Sequence, residues 1–441
     1  MSFSELMLSI KLQETIKALG YTKPTEIQQK SIPLLLQRKD ILATSQTGTG
    51  KTASFVLPML ENLKEESEKK TGDERYKINA LILAPTRELV IQIQQRIEEY
   101  GAEFTHKSVA LYGGVKLGSQ IKEIRSGANI AVATTGRLLE HIKNRSINLS
   151  QVEMIILDEA DKMLEMGFIN DIRSILSALP KKIGDKRRHS VMFSATFPPT
   201  IMRLAKSFLE NPITIEIDKE NLSAQQVEQS AYLVEEEKKL PLLSDLILSE
   251  DWHQILIFTN TKLKADQIVE HLTIEHISSL AIHGNKNQKE RIHALQKFKE
   301  RKIRVLVATD IAARGIDIID LPFVINFELP VKNEDYIHRI GRTGRAEKNG
   351  QSISLVCNKE QQQLKEIEIL INKKLSKTVL NGYIESNIET ETKREKPKKN
   401  INLKKAKELA QKMMKKENKS DKNIKTAKKD HYKSPKNKRL F

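Results

Sequence analysis

The sequence has little of what marks secreted or membrane proteins. Its single cysteine, Cys357, excludes a disulfide within the chain, which fits a reducing compartment, and we expect this thiol in a core. No apolar run reaches the roughly 20 residues of a membrane-spanning helix, and the first residues lack the basic and apolar segments of a signal peptide. We therefore expect a cytoplasmic protein, and its length of 441 residues suggests two or three domains.

Positive charge is abundant but unevenly placed. Residues 392–441 hold 20 Lys and Arg against 5 Asp and Glu, which is +15 of the net charge of +17. The expected partner of such an arm is a polyanion, most commonly nucleic acid. Apolar residues between Leu403 and Met414 recur at helical spacing, which leaves two alternatives, a basic amphipathic helix formed on binding and a solvated, disordered tail.

A phosphate-binding loop is predicted between a strand-like run and a helical run. It consists of Ser45, Gln46, Thr47, Gly48, Thr49, Gly50, Lys51 and Thr52. Its glycines would let backbone N–H groups converge on a phosphate, while Lys51 would reach the β- and γ-phosphates and Thr52 would ligate Mg²⁺. The usual pattern has Gly where this chain has Ser45, and an ordinary glycine-rich turn is the alternative. The loop predicts a nucleoside triphosphate and Mg²⁺; that the nucleotide is ATP is implied by the family resemblance given below.

Strand-like apolar runs alternate with helical periodicity in two series along the chain. The first series ends at Ile217 and the second begins at Gln254. Continuous apolar strands joined by helices predict an α/β fold with parallel sheets that helices cover on both faces. We predict a first domain at 1–217, a polar linker at 218–226, a second domain at 227–376 and a basic low-complexity tail at 377–441.

An acidic tetrad, Asp158-Glu159-Ala160-Asp161, follows the apolar strand-like run 154–157. An acid at the carboxyl end of a buried strand faces the ligand crevice of a parallel sheet. Asp158 would hold the Mg²⁺ that Thr52 also contacts, and Glu159 would orient and deprotonate the attacking water. The alternative is an acidic helix N-terminus that the helix dipole stabilises.

The tetrad and the motifs around it resemble the DEAD-box family of ATP-dependent RNA helicases over residues 3–375. Within the family the bacterial RhlE-type members are most similar, including at residues 282–286 and 308–317. The resemblance implies two tandem RecA-like domains and hydrolysis of ATP that RNA stimulates. It also implies that Phe3 stacks on adenine and that Gln28 reads its edge. The amide of Gln28 has the acceptor and donors for this, although a helix-surface glutamine is the alternative.

The resemblance also implies an RNA track through both domains. In the first domain the track comprises Pro85, Thr86, Arg87, Gly113, Gly114, Thr135, Gly136 and Arg137, where the family usually has Pro at the position of Thr135. In the second domain it comprises Thr259, Asn260, Gln288, Arg291 and Thr309. Residues that would link the ATP site to RNA binding are Ser194, Thr196 and His338.

The remaining residues implied by the resemblance act on the nucleotide from the second domain. Asp317 would meet the ribose, and Arg342 and Arg345 would neutralise charge on the γ-phosphate. Because these arginines lie in the domain without the phosphate loop, the ATP site would be complete only when the domains close. We interpret Arg339, in the same stretch, as a contact to a backbone phosphate.

The residue types of the predicted RNA track indicate how it would bind RNA. These residues are mostly small or polar. Such residues favour phosphate and sugar contacts, hence little sequence specificity. Opening about five base-pair steps costs on the order of 7 kcal/mol, and micromolar binding supplies roughly 8 kcal/mol. Clamping one strand can therefore melt a short duplex without processive walking.

Two other functions remain open at this point. One is an RNA-binding or annealing protein that acts mainly through its basic tail, and the other is a DNA translocase on the same scaffold. The predicted partners are RNA and possible ribosomal or RNA-decay proteins, because ribosome assembly and RNA decay are the settings that the resemblance implies.

Overall fold

The computed structural model describes residues 2–44, 49–63, 77–217, 227–313, 318, 321–344 and 350–384. The chain divides into two compact units. One is Met1–Leu222 with Ala312–Ile319, and the other is Ser223–Ile311 with Asp320–Phe441. The predicted linker at 218–226 and the tail from 385 onward lie outside the described residues.

The first unit is built on seven parallel strands. They are β1 Ile41–Thr44, β2 Ala80–Leu83, β3 Ser108–Leu111, β4 Ile130–Ala133, β5 Met154–Leu157, β8 His189–Ser194 and β9 Ile213–Glu216, in the order β3-β4-β2-β5-β8-β1-β9. Strands β6 Lys182–Ile183 and β7 Lys186–Arg187 form a separate antiparallel hairpin. All seven sheet strands coincide with strand-like runs of the sequence, and all but the edge strand β9, which is mostly exposed, are largely buried.

Helices cover both faces of this sheet. They are α1 Ile10–Ala18, α2 Glu26–Leu36, α3 Lys51–Asn62, α4 Arg87–Tyr100, α5 Leu117–Arg125, α6 Thr135–Lys143, α7 Ala160–Glu165, α8 Ile169–Ala178 and α9 Pro199–Phe208, after a 3₁₀ helix at Phe3–Leu6. Successive residues of one strand enter different cores. Ile82 packs in one core with Phe55 of α3, whereas Leu81 packs in the other with Ile172 of α8. The alternation is the twofold period of a β-strand.

The second unit has its own sheet of seven parallel strands. They are β10 Val227–Leu233, β11 Ile255–Thr259, β12 Ser279–Ile282, β13 Val305–Thr309, β14 Phe323–Asn326, β15 Gly350–Val356 and β16 Ser376–Val379, in the order β12-β13-β11-β14-β15-β10-β16. Two of these strands, β10 and β16, have no counterpart in the sequence prediction. β16 is an edge strand of polar composition that pairs with Ser230–Leu233, so tertiary pairing rather than an apolar run defines it.

The helices that follow in the chain are α10 Lys239–Ser249, α11 Lys262–Ile274, α12 Gln288–Lys299, α13 Asp310–Ala313, α14 Asn333–Ile340 and α15 Gln361–Leu370, with 3₁₀ helices at Glu236–Lys238 and Asn358–Glu360. All belong to the second unit except the last two residues of α13, which are assigned to the first. Cys357 follows β15 and is buried, as the sequence predicts. In the part of the chain that the structure describes, no helix is long and apolar enough to cross a membrane.

Candidate functional site

The end of the predicted phosphate loop lies against the buried side chain of Gln28. Ser45, Gln46, Thr47 and Gly48 lie outside the described residues, whereas Gly50 precedes α3 with φ +89°. Gln28 is 1% exposed, and its Nε2 donates to the Gly50 carbonyl at 3.1 Å. A Cβ on Gly50 would collide with that nitrogen, so both the φ angle and the space require glycine.

Gln28 is therefore not a helix-surface residue, and that alternative is wrong. Its Oε1 accepts from the backbone N–H of Thr25 at 2.9 Å, which closes the first turn of α2. Phe3 is also buried, with 7% exposed, and packs edge-on against Tyr21 with the ring centroids 6.3 Å apart. The adenine contacts expected of Phe3 and Gln28 stay predictions.

Lys51 and Asp158 bring opposite charges to the same buried region of the first unit. Lys51 is the first residue of α3 and is 7% exposed, and Asp158 directly follows β5 and is 2% exposed. Burial raises the pKa of the Asp158 carboxyl, and the positive charge of Lys51 opposes this increase. The Asp158 Oδ1 also accepts from the Glu159 backbone N–H at 2.9 Å. A further cation would favour the charged form of this carboxylate.

The donor set fits a Mg²⁺ ion that is shared with a nucleotide. Thr52 supplies a half-buried hydroxyl and Asp158 a carboxylate, which are the hard oxygen ligands that Mg²⁺ prefers. Among the described residues no group of three or more His, Cys, Asp or Glu side chains could hold a metal by itself. A Mg²⁺ ion here would therefore depend on phosphate oxygens for further ligands.

Glu159 has an unusual backbone conformation. It caps the N-terminus of α7 with φ 52° and ψ 49°, in the left-handed region that costs a non-glycine residue roughly 1–3 kcal/mol. Its side chain is only 6% exposed. Nine other described non-glycine residues also have positive φ, so the conformation by itself does not mark a functional position, but at Glu159 it falls on the residue predicted as the general base.

Asp161 connects the acidic tetrad to the predicted coupling residues. Its Oδ2 accepts from the Ala195 backbone N–H at 3.1 Å and from the Thr196 Oγ1 at 3.4 Å. The Ser194 hydroxyl in turn donates to the Thr196 carbonyl at 2.7 Å. The sequence prediction gave Asp161 no separate role. Its place in the acidic tetrad, in the first turn of α7, was the available signal.

Two predicted RNA-track segments of the first unit meet at Arg87. Thr86 caps α4, because its Oγ1 accepts from the Leu89 backbone N–H at 3.3 Å. The Arg87 guanidinium lies over the backbone of Gly113 and Gly114, so a Cβ on Gly113 would come within 3.3 Å of it. At Gly114 a Cβ would collide with the guanidinium, and φ is +87°. The pair of glycines thus permits the close approach of Arg87.

The third segment of the predicted track begins α6. Thr135 is the first residue of this helix, a position where proline is also favoured, so the departure from the family pattern leaves the helix start intact. A Cβ on Gly136 would meet no atom within 4 Å. The Arg137 side chain is 9% exposed, and its Nη2 donates to the Val115 carbonyl at 3.0 Å. Its Nη1 donates at 3.2 Å to Gln120, a residue that the sequence prediction missed.

Arg339 is the centre of a buried hydrogen-bond network in the second unit. It is 1% exposed, and its Nε and Nη2 both donate at 2.7 Å to the two carboxylate oxygens of Asp310. Nη1 donates to the Glu328 carbonyl at 2.6 Å and to the Asn326 Oδ1 at 3.2 Å. Nη2 also donates to the Asn260 Oδ1 at 3.0 Å. These bonds occupy the five N–H donors of a guanidinium. The interpretation of Arg339 as a phosphate contact is therefore wrong.

The neighbouring track residues of the second unit are held by the same network. The Thr259 Oγ1 donates to the Glu328 Oε2 at 2.5 Å, and the Asn260 backbone N–H donates to the same oxygen at 2.8 Å.

The other predicted site residues of the second domain lie on several elements. Thr309 ends β13 and is 8% exposed, and Arg342 is 7% exposed. Three further residues lie on helices, with Gln288 and Arg291 on α12 and His338 on α14. Asp317 and Arg345 lie outside the described residues.

Comparisons with known proteins find relatives that share both units. Residues 25–204 match the DEAD/DEAH box helicase family, and residues 238–347 match the helicase conserved C-terminal domain. The DEAD-box ATP-dependent RNA helicase CshA of Bacillus subtilis is 39% identical over 376 residues, which are 85% of this chain and 74% of CshA. The DEAD-box ATP-dependent RNA helicase RhpA of Helicobacter pylori is 39% identical over 363 residues, 82% of this chain and 71% of RhpA.

Solved structures share the fold. The structure of Saccharomyces cerevisiae Dbp5 bound to RNA and ADP BeF3 has a TM-score of 0.73 and 30% sequence identity, covering 86% of this chain and 95% of that chain. A DEAD box protein of the hyperthermophile Methanococcus jannaschii has a TM-score of 0.50 and 40% identity, covering 86% of this chain and 99% of that chain.

Proposed function

Because the chain belongs to the DEAD-box family of ATP-dependent RNA helicases, we propose that it clamps one RNA strand and opens short duplexes locally, without processive walking. The chain is an ATP-dependent RNA helicase with two RecA-like domains, as the sequence predicts. Its affiliation with RhlE-type members and its role in ribosome assembly or RNA decay are part of the proposal. The annealing alternative depends on residues 392–441, which lie outside the described part.

The observation that carries the proposal is the buried group of Lys51, Asp158 and Glu159 beside the end of the phosphate loop. Lys51 would neutralise phosphate charge, and Thr52 and Asp158 would hold Mg²⁺, which supplies further positive charge to the phosphates when bound. Glu159 would accept the proton of the attacking water. The left-handed backbone at Glu159 fixes the start of α7 and so restricts where this carboxylate can lie.

The proposed RNA contacts of the first unit are backbone groups and fixed cations. The Arg87 guanidinium lies against the loop of Gly113 and Gly114, and Arg137 binds the Val115 carbonyl just after it. Such groups recognise phosphates and sugars, so we propose little sequence specificity. We also propose that Arg342 and Arg345 act on the γ-phosphate, and that hydrolysis releases the RNA.

The test is the ATP turnover of a Glu159→Gln variant with and without single-stranded RNA. Loss of a general base lowers turnover by about 10²–10⁴-fold, whereas binding of a fluorescent ATP analogue should remain. Glu98→Gln is the matched control, because it makes the same change at an exposed position on α4. Undiminished turnover in Glu159→Gln would contradict the assignment.

A second arm of the same assay compares RNA with DNA of one sequence. Stimulation by RNA alone is expected of an RNA helicase. Equal stimulation by DNA would instead favour the translocase alternative.

A further inference from the structure

We propose that Gln120 is a positioning residue of the RNA track, which holds Arg137 and the loop of Gly113 and Gly114 in one fixed arrangement. The inference deepens the proposed function, since it presupposes that this loop and Arg137 meet RNA. Gln120 lies on α5, outside every motif that the sequence comparison with the family singled out. It is 2% exposed, so it does not itself reach a ligand.

The amide of Gln120 joins the strand before the glycine pair to the helix after it. Its Nε2 donates to the carbonyls of Ala110 at 3.2 Å and Tyr112 at 3.1 Å, at the end of β3. Its Oε1 accepts from the Arg137 Nη1 at 3.2 Å and from the His141 Nε2 at 3.2 Å, both on α6. All hydrogen-bonding positions of the amide are therefore used inside the protein.

The chemistry of these partners fixes the orientation of the Gln120 amide. The two carbonyls can only accept and Arg137 can only donate, so the amide cannot be turned over. The His141 Nε2 must then carry a proton and donate to the Gln120 Oε1. Burial, with a smaller effect of the Arg137 charge, lowers the pKa of His141 and favours the neutral ring. The His141 Nδ1 lies 2.8 Å from the Ser146 hydroxyl, which also contacts the His141 carbonyl at 3.2 Å.

The hydrogen bonds of Gln120 and Arg137 lie on both sides of the glycine pair in the chain. Gln120 binds the Tyr112 carbonyl just before Gly113, and Arg137 binds the Val115 carbonyl just after Gly114. The glycines have no side chains that could hold the loop, so its shape depends on these flanking bonds. Gln120 also binds the Arg137 guanidinium, which is held in addition by its bond to the Val115 carbonyl and by an ion pair of its Nε with Glu140 at 3.1 Å. Gln120 is thus the side chain that joins the strand before the loop to this arginine. Without it, RNA would have to order both groups on binding.

The test measures the RNA concentration that half-maximally stimulates ATP turnover, and the turnover at saturating RNA. Gln120→Met keeps the length of the side chain but removes its polar atoms. We expect the half-saturating concentration to rise about tenfold, while turnover at saturating RNA stays within about twofold of wild type. Gln94→Met is the matched control, because Gln94 also donates to a β3 carbonyl, that of Ser108, away from the glycine pair. It should leave both quantities unchanged.

A double-mutant cycle with Arg137→Met distinguishes positioning from a general loss of stability. Because Gln120 acts partly through Arg137, the double variant should need less additional RNA than the two single changes together predict. Additive effects, or an unchanged half-saturating concentration in Gln120→Met, would overturn the proposal. If Gln120→Met fails to fold, Gln120→Asn replaces it, because the amide remains but the shorter side chain cannot reach both β3 and Arg137. An unchanged RNA requirement in Gln120→Asn would equally overturn the proposal.

Failure of the proposed function would look different. In that case wild-type turnover itself would not respond to RNA, whatever residue stands at position 120.

Discussion

Replacing Arg339 by methionine should destabilise the second unit rather than remove a contact to RNA. Methionine fills similar space but lacks the guanidinium that binds Asp310, Asn260 and Glu328. Asp310 would then retain a carboxylate that loses both of its bonds to the guanidinium. The Asp310 side chain is 19% exposed, so water can reach it only in part.

The expected loss follows from the burial of the pair. Removing one partner of a buried ion pair costs about 3–5 kcal/mol, and partial access of water to Asp310 favours the lower part of that range. A change of 1 kcal/mol shifts the melting temperature of a unit of this size by about 2–4 °C. We therefore expect the second unit to melt about 10 °C lower. Arg339→Lys, which keeps the charge but not the planar group, should lose about half as much.

Differential scanning calorimetry of the full chain measures this shift, and hydrogen exchange at β13 and β14 assigns it to the second unit. Lys299→Met, on the exposed surface of α12, is the control and should stay within about 2 °C, as surface changes do. The reasoning is refuted if Arg339→Met melts like wild type but requires more RNA for stimulation. That result would restore the interpretation of Arg339 as a phosphate contact.

Two further predictions concern the first unit. Gly50→Ala should weaken ATP binding at least tenfold in a fluorescent-nucleotide titration, because a Cβ at this φ of +89° would collide with Gln28. Gly118→Ala is the control and should bind ATP normally, because the space around its Cβ is open. Equal affinities of the two variants for ATP would contradict this reasoning. Burial lowers the pKa of His189 to about 4 from its ordinary 6.5, so the unfolded chain takes up a proton as pH falls below 6.5 while the folded chain does not. The free energy of unfolding should therefore decrease by up to about 3 kcal/mol between pH 6.5 and 4. Denaturant titrations should show a smaller decrease for His189→Gln. If the free energy of unfolding varies with pH in the same way in wild type and variant, His189 is not the cause.

The positions of most strands could be predicted because burial on both faces demands continuous apolar runs. β5, for example, is the run Met154–Leu157 in both the prediction and the structure. β16 could not be predicted in this way, because its residues are polar and half exposed and its pairing partner β10 lies about 150 residues earlier in the chain. This segment is a strand because it pairs with β10 in the folded chain.

The residues of the candidate site also include some that the sequence could predict and some that it could not. Lys51, Asp158 and Glu159 were predictable, because each stands next to a strand or helix whose pattern is local. Gln120 was not, because a glutamine within a helix carries no signal until Arg137 and Tyr112 are brought to it. The roles of all these residues in catalysis and RNA binding stay predictions.

The sequence by itself determined two parallel sheets and the positions of Lys51 at the start of α3 and Asp158 directly after β5, since hydrophobic period and motif spacing depend only on neighbours in the chain. Only the tertiary structure decided which polar groups are fixed inside the protein. Arg339 and Gln28 look like surface residues in the sequence, yet both are at most 1% exposed. A polar side chain can be buried only where its hydrogen-bond partners converge, and those partners come from elements far apart in the sequence.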